Sequence, residues 1–97
     1  MYNYHMDFEW DEGKNDLNKA KHGIDFQDGK NLWLDENRIE IHVPHPIEDR
    51  SILIATHDNK VWAAIYTMRG DTIRLISVRR ARKKERDLYE KEVTSQE

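Results

Sequence analysis

The chain has 97 residues, a formal net charge of −3, 37% hydrophobic and 36% charged residues, enough for one small domain with a single core. It has no cysteine, which excludes a disulfide framework and a thiolate zinc site. No apolar run is long enough to span a bilayer and Met1-Tyr2-Asn3-Tyr4-His5 is no signal peptide, so a soluble cytoplasmic domain is expected, its core at about 6–92 before a polar tail.

Residues 6–10 read as a short strand with Phe8 and Trp10 on one face. Asp11 can cap a following helix that ends at Lys21-His22-Gly23, where Gly23 suits a C′ position and the cations suit the negative helix end. Its apolar stripe is thin, Leu17 and Ala20, so this helix should lie on the surface or be completed by a partner. Asp25 opens a second helix anchored by Phe26, Leu32 and Trp33, with Asp28 placed as in a capping box. Asp35-Glu36-Asn37 ends it.

The period then changes to two. Ile39, Ile41 and Val43 alternate with Arg38, Glu40 and His42, and Pro44 and Pro46 close that strand. Residues 50–57 form a more buried strand through Ile52, Leu53, Ile54 and Ala55. Asp58-Asn59 suits a tight turn into residues 61–68, and Arg69-Gly70-Asp71 turns again into residues 72–79. A last helix over about 80–92 should bury Ala81, Leu88 and Tyr89. The fold class is α+β: a twisted antiparallel sheet of about four strands, with N-terminal helices and a C-terminal helix.

Charge is unevenly divided. Residues 1–68 hold 13 of 19 acids and 7 of 16 basic residues, whereas residues 69–91 hold nine basic residues and four acids. Six of the eight residues from 79 to 86 are basic, placed where a strand should run into a helix. Cations there oppose the helix dipole by up to about 1 kcal/mol each, which makes sense if an external phosphate sits among them. A solvated basic helix start balanced by Glu85 and Asp87 fits the same residues.

Alternation on the last strand puts Ile73, Leu75, Ser77 and Arg79 on one face and Thr72, Arg74, Ile76, Val78 and Arg80 on the other. Arg74, Arg79, Arg80 and Arg82 are the phosphate candidates, because the planar guanidinium donates bidentately and stays charged. His22 at its helix end is a candidate proton carrier near neutral pH or a dipole partner before Gly23. His42 and His45 flank Val43-Pro44 without a third ligand nearby in sequence, so no metal site is assigned. Tyr66 and Tyr89 suit the core or base stacking, and no Walker loop, nucleophile elbow or HExxH is present.

Phe8-Glu9-Trp10-Asp11, Lys19-Ala20-Lys21-His22-Gly23-Ile24-Asp25-Phe26 and the block from Tyr66 through Arg69-Gly70-Asp71 to Ser77-Val78-Arg79-Arg80-Ala81, followed by Glu85 and Tyr89, closely resemble the BrnT family of type II toxin–antitoxin toxins over roughly residues 7–91. The resemblance implies a RelE-like fold and a metal-independent endoribonuclease that cleaves RNA, inhibits translation and needs no cofactor. It implies a BrnA-like ribbon-helix-helix antitoxin, a heterotetramer, and operator DNA bound indirectly through that antitoxin. Attack of a ribose 2′-OH on the adjacent phosphate needs a base, an acid and cations. Arg79 and Arg80 are assigned to charge stabilisation and His22 to proton transfer, with Tyr66 and Glu85 in reserve. Arg50, Tyr66, Arg69, Arg74 and Arg82 are assigned to RNA. The alternative is a non-catalytic antitoxin-binding module or operon co-repressor.

Overall fold

A computed structural model describes residues 6–95; the reading of residues 1–5, with His5, and the end of the polar tail lie outside the described residues. Strands β1 (Asp7–Glu9), β2 (Ile39–Val43), β3 (Arg50–His57), β4 (Lys60–Arg69) and β5 (Thr72–Arg80) form one sheet in the order β1-β5-β4-β3-β2. Helices α1 (Glu12–His22) and α2 (Phe26–Gly29), the latter continued by a 3-10 segment over Lys30–Leu34, precede β2, and α3 (Lys83–Ser95) follows β5. The class is the expected α+β. The sheet is mixed, because β1 pairs parallel with β5 beside the antiparallel β2–β5 meander.

The local signals act as their chemistry requires. Asp11 accepts the Lys14 N–H at 2.9 Å and Asp25 accepts the Asp28 N–H at 2.8 Å, capping two helix starts. Gly23 closes α1 in the left-handed region, φ 76°. Asp58 and Asn59 also adopt positive φ, 54° and 62°, giving the twist a two-residue hairpin needs.

One sheet face carries the main core. Ile24, Phe26, Leu32 and Trp33 cover Leu53, Ala55, Trp62, Ala64, Tyr66, Ile73, Leu75 and Val78. Aromatic edges lock it, with ring centroids 5.1 Å apart for Phe8–Trp33 and 5.2 Å for Trp33–Tyr66. Helix α2 approaches β5 so closely that a Cβ on Gly29 would stand 3.0 Å from a Val78 methyl.

The end of β5 and the last helix differ from the expectation. On β5, Ile65 pairs with Ser77 but Tyr66 pairs with Leu75, leaving Ile76 as an extra residue, a β-bulge. The bulge reverses the alternation, so Ile73, Leu75 and Val78 share the buried face, Arg80 follows them, and Arg79 points to the face occupied by α3. The last helix begins at Lys83, and Leu88 is 48% exposed rather than buried. Ala81 and Tyr89 are buried as expected.

Tyr89 is one of the residues that fasten helix α3. Its hydroxyl donates to Asp35, accepts from Thr56, and Asp35 also accepts the Thr56 N–H at 2.8 Å. Burial pushes the Asp35 carboxyl up, but hydrogen bonds from Tyr89, Thr56 and Asn37 outweigh it and hold the group below its usual range. A depressed carboxylate contributes stability that is fully present above its unfolded pKa and is lost as pH falls through the folded value. Tyr89→Phe should therefore cost about 1–2 kcal/mol and reduce the acid sensitivity that Asp35 confers, readable in urea melts at pH 7 and pH 3.

Candidate nucleic-acid-cleaving site

Helix α1 sits on the sheet without an apolar stripe. Leu17 is 70% exposed, and the one buried residue of α1 is Asn18. The Asn18 amide donates to the carbonyls of Ile24 at 2.9 Å and Val78 at 2.8 Å, and accepts the Val78 N–H at 3.0 Å. Beyond β1, which pairs only with Thr72, Ile73 and Arg74, this edge of β5 would be bare, and the side chain takes a neighbouring strand's place on it. Asn15 adds a second tie, accepting the Phe26 N–H at 2.7 Å. One amide thus staples the segment that follows His22 to the residue that precedes Arg79.

That staple opens a cleft at one end of the sheet. A cavity of about 280 Å³ is lined by His22, Asp28, His57, Asp58, Lys60, Trp62 and Arg80, with Gly23 and Ile24. His22 comes from the end of α1, Asp28 from α2, the next three residues from the β3–β4 hairpin, and Arg80 from the end of β5. Trp62 forms a wall, its indole N–H donating to the His57 carbonyl at 3.1 Å. Arg80 lies over that indole, its guanidinium carbon 5.5 Å from the ring centroid. Among the described residues Arg80 has no carboxylate partner within ion-pair distance, leaving its donors available to an anion.

Arg79 is differently placed. It grips Glu85 through two parallel hydrogen bonds of 2.8 and 2.9 Å, with side chains 16% and 12% exposed. Glu85 also accepts the Arg82 N–H at 2.7 Å, the acidic half of a capping box that starts α3. The Arg79 bond, with lesser help from the Arg82 N–H, lowers the Glu85 carboxyl from its usual value against burial. Glu85 is thereby a fixed anion rather than a proton carrier. Lys83 pairs with Asp87 at 2.8 Å, so part of the basic run is neutralised along its own helix, as the solvated-helix reading anticipated.

Burial first, then the charges of Lys21 and Arg79, lower the His22 pKa from the usual 6.5. The carbonyl end of α1 favours the imidazolium and acts against that shift. A neutral imidazole at pH 7 is the form that accepts a proton.

The other sequence candidates lie apart from this cleft. Tyr66 is buried, donates to Glu40 at 3.0 Å, and is pushed up to about 12 by burial and that carboxylate, so it keeps its proton near neutrality. Arg69 lies 3.8 Å from Glu48, and Arg74 pairs with Glu9 at 2.8 Å. Arg69 and Arg50 occupy the opposite end of the sheet, seven residues along β4 from Trp62 in the first case, roughly 23 Å. Arg82 is exposed at the start of α3. His42 pairs with Asp49 at 3.5 Å, and among the described residues no three His, Asp or Glu side chains converge to hold a metal ion.

Residues 10–85 match the family described as ribonuclease toxin, BrnT, of type II toxin–antitoxin system. The chain belongs to the BrnT family. The matched span runs from Trp10 through the first turn of α3 and includes every residue that lines the cleft. A BrnT toxin is a ribonuclease of a type II toxin–antitoxin pair, and such a pair implies an antitoxin partner. No curated protein matches the chain, and among the described residues no helix is long and apolar enough to cross a membrane. His57 and Lys60, which line the cavity, flank the Asp58-Asn59 turn, and only the three-dimensional approach of that hairpin to the end of α1 brings them there, so short-range sequence patterns do not single them out.

Proposed function

We propose that this BrnT chain is a metal-independent endoribonuclease that inhibits translation, with the cleft at the end of β5 as its active site. The observation that carries the reading is the convergence of His22 and Arg80, 58 positions apart in sequence, on one cavity with His57 and Lys60. A neutral His22 takes the proton of a ribose 2′-OH, whose oxygen attacks the adjacent phosphorus. The 5′-oxygen then leaves with a proton from His57, producing a 2′,3′-cyclic phosphate and a 5′-hydroxyl end. Arg80 and Lys60 bear the charge that gathers on the phosphoryl oxygens. Trp62 holds the Arg80 plane, and burial, with the nearby charges of Lys21 and Arg79, favours the neutral form of His22. Arg82 extends the positive field toward the RNA backbone. A BrnA-type ribbon-helix-helix antitoxin neutralises the toxin and carries the operator contact, in keeping with the acidic net charge of the chain.

The test is cleavage of single-stranded RNA by the purified chain in excess EDTA. Cleavage with cyclic-phosphate ends, abolished by a 2′-deoxy substitution at the cut site, is expected. Cleavage that needs added Mg²⁺, or that leaves 5′-phosphate ends, contradicts the mechanism. No cleavage of free or ribosome-bound RNA, with antitoxin binding retained, identifies a non-catalytic module.

A further inference from the structure

The bulge at Ile76 and the bare side of α1 together form a second concavity, a groove of about 640 Å³ whose walls include Lys14, Leu17, Ala20, Lys21, His22 and Ile76. Leu17 stands 70% exposed in a helix whose attachment depends on Asn15 and Asn18, so its apolar surface does nothing for this chain's own fold. No acid lines the groove. Lys14 and Lys21 lie on α1 seven residues apart, about 10 Å along the axis, with the apolar floor between them. Among the described residues neither lysine is within ion-pair distance of a carboxylate. The floor at Leu17, Ala20 and Ile76 asks for apolar side chains, and the two ends ask for carboxylates. His22 lines both this groove and the cleft.

We propose that this groove is the docking site for an acidic amphipathic segment of the antitoxin, and that its occupant silences the enzyme by covering His22. This rests on the reading of the chain as a toxin with an antitoxin. The segment presents two carboxylates about 10 Å apart, two helical turns, flanking an apolar pair that seats on Leu17 and Ile76. Binding buries the face of the imidazole that the groove exposes and shuts the entrance to the cleft from the α1 side. Neutralisation then follows from occlusion, with no rearrangement of the sheet.

The experiment uses the full chain and the antitoxin encoded beside it, with Lys14→Glu, Leu17→Glu and the double variant. Neither residue lines the cleft, so RNA cleavage by the free variants should match the parent. Antitoxin affinity should fall roughly tenfold for each single change and more for the double, with a shallower salt dependence for Lys14→Glu. The antitoxin concentration needed to stop cleavage should rise in parallel. Unchanged affinity in all variants overturns the docking site. Tighter binding by Lys14→Glu overturns the acidic character of the segment, and weaker RNA cleavage by free Lys14→Glu assigns the groove to RNA instead. Affinity is read by calorimetry, independently of catalysis, so an inactive parent that still shows the affinity losses refutes the ribonuclease reading and leaves the docking site standing.

Discussion

Asn18→Ala should lower the stability of the domain by about 3 kcal/mol, the largest effect expected of any single polar substitution, because it orphans three backbone groups at once. The Ile24 carbonyl and both the N–H and the carbonyl of Val78 lose their partner, and Asn18 is only 6% exposed, so water replaces it poorly. For a domain this size the melting temperature should drop by more than about 10 °C. Asn18→Asp is a sharper probe. It conserves shape but replaces the donating NH₂ with an oxygen facing two carbonyls, so it should destabilise at least as much at pH 7 and recover partly in acid, where a protonated carboxyl regains one donor. A surface-like change below about 0.5 kcal/mol would mean that α1 is held by something other than this amide. Cleavage should fall with stability lost locally, since the same side chain sets the spacing between His22 and the end of β5.

The pH profile of RNA cleavage carries the second large effect. A general base whose pKa lies below 6.5 is active throughout the neutral range and fails only as acid protonates it. The groups around His22 are Lys21 on its own helix, Arg79 and Arg80 on β5, Asp28 on α2, and His57, Asp58 and Lys60 on the β3–β4 hairpin. On the acidic side kcat/KM is expected to drop about tenfold per pH unit once His22 is protonated, at a pH below that of an ordinary histidine. His22→Gln should remove that acidic limb and cost roughly 10²–10⁴-fold in rate, the usual contribution of general acid–base catalysis. An acidic limb that survives His22→Gln unchanged would assign it to another group.

The sequence made much of this fold legible. Asp11, Asp25 and Gly23 mark helix ends through short-range hydrogen bonding, and Asp58-Asn59 marks a hairpin through backbone preference, so each can be read from a few neighbouring residues. The bulge could not be read in that way. An extra residue in β5 leaves the local polar and apolar pattern intact and shows itself only in the pairing with β4, yet it decides that Arg80 rather than Arg79 turns toward the cleft. Asn18 was equally silent, since an asparagine on a helix poor in apolar residues reads as surface until Val78 is known to lie against it. The charge run was legible as a cluster but not as a circuit. Arg79 and Lys83 are engaged by Glu85 and Asp87, which narrows the candidate phosphate contact on the core side of β5 to Arg80. The thin Leu17 and Ala20 stripe is legible as surface, and Leu17 is indeed 70% exposed beside the groove.

The most direct measurement is single-turnover RNA cleavage by the parent, His22→Gln, Arg80→Ala and Arg69→Ala, each first shown by its melting curve to be folded. Losses of roughly 100-fold or more in His22→Gln and Arg80→Ala, with Arg69→Ala at the far end of the sheet close to the parent, are predicted. Full activity in His22→Gln and Arg80→Ala, or loss confined to Arg69→Ala, would place the chemistry elsewhere on the molecule and contradict the account.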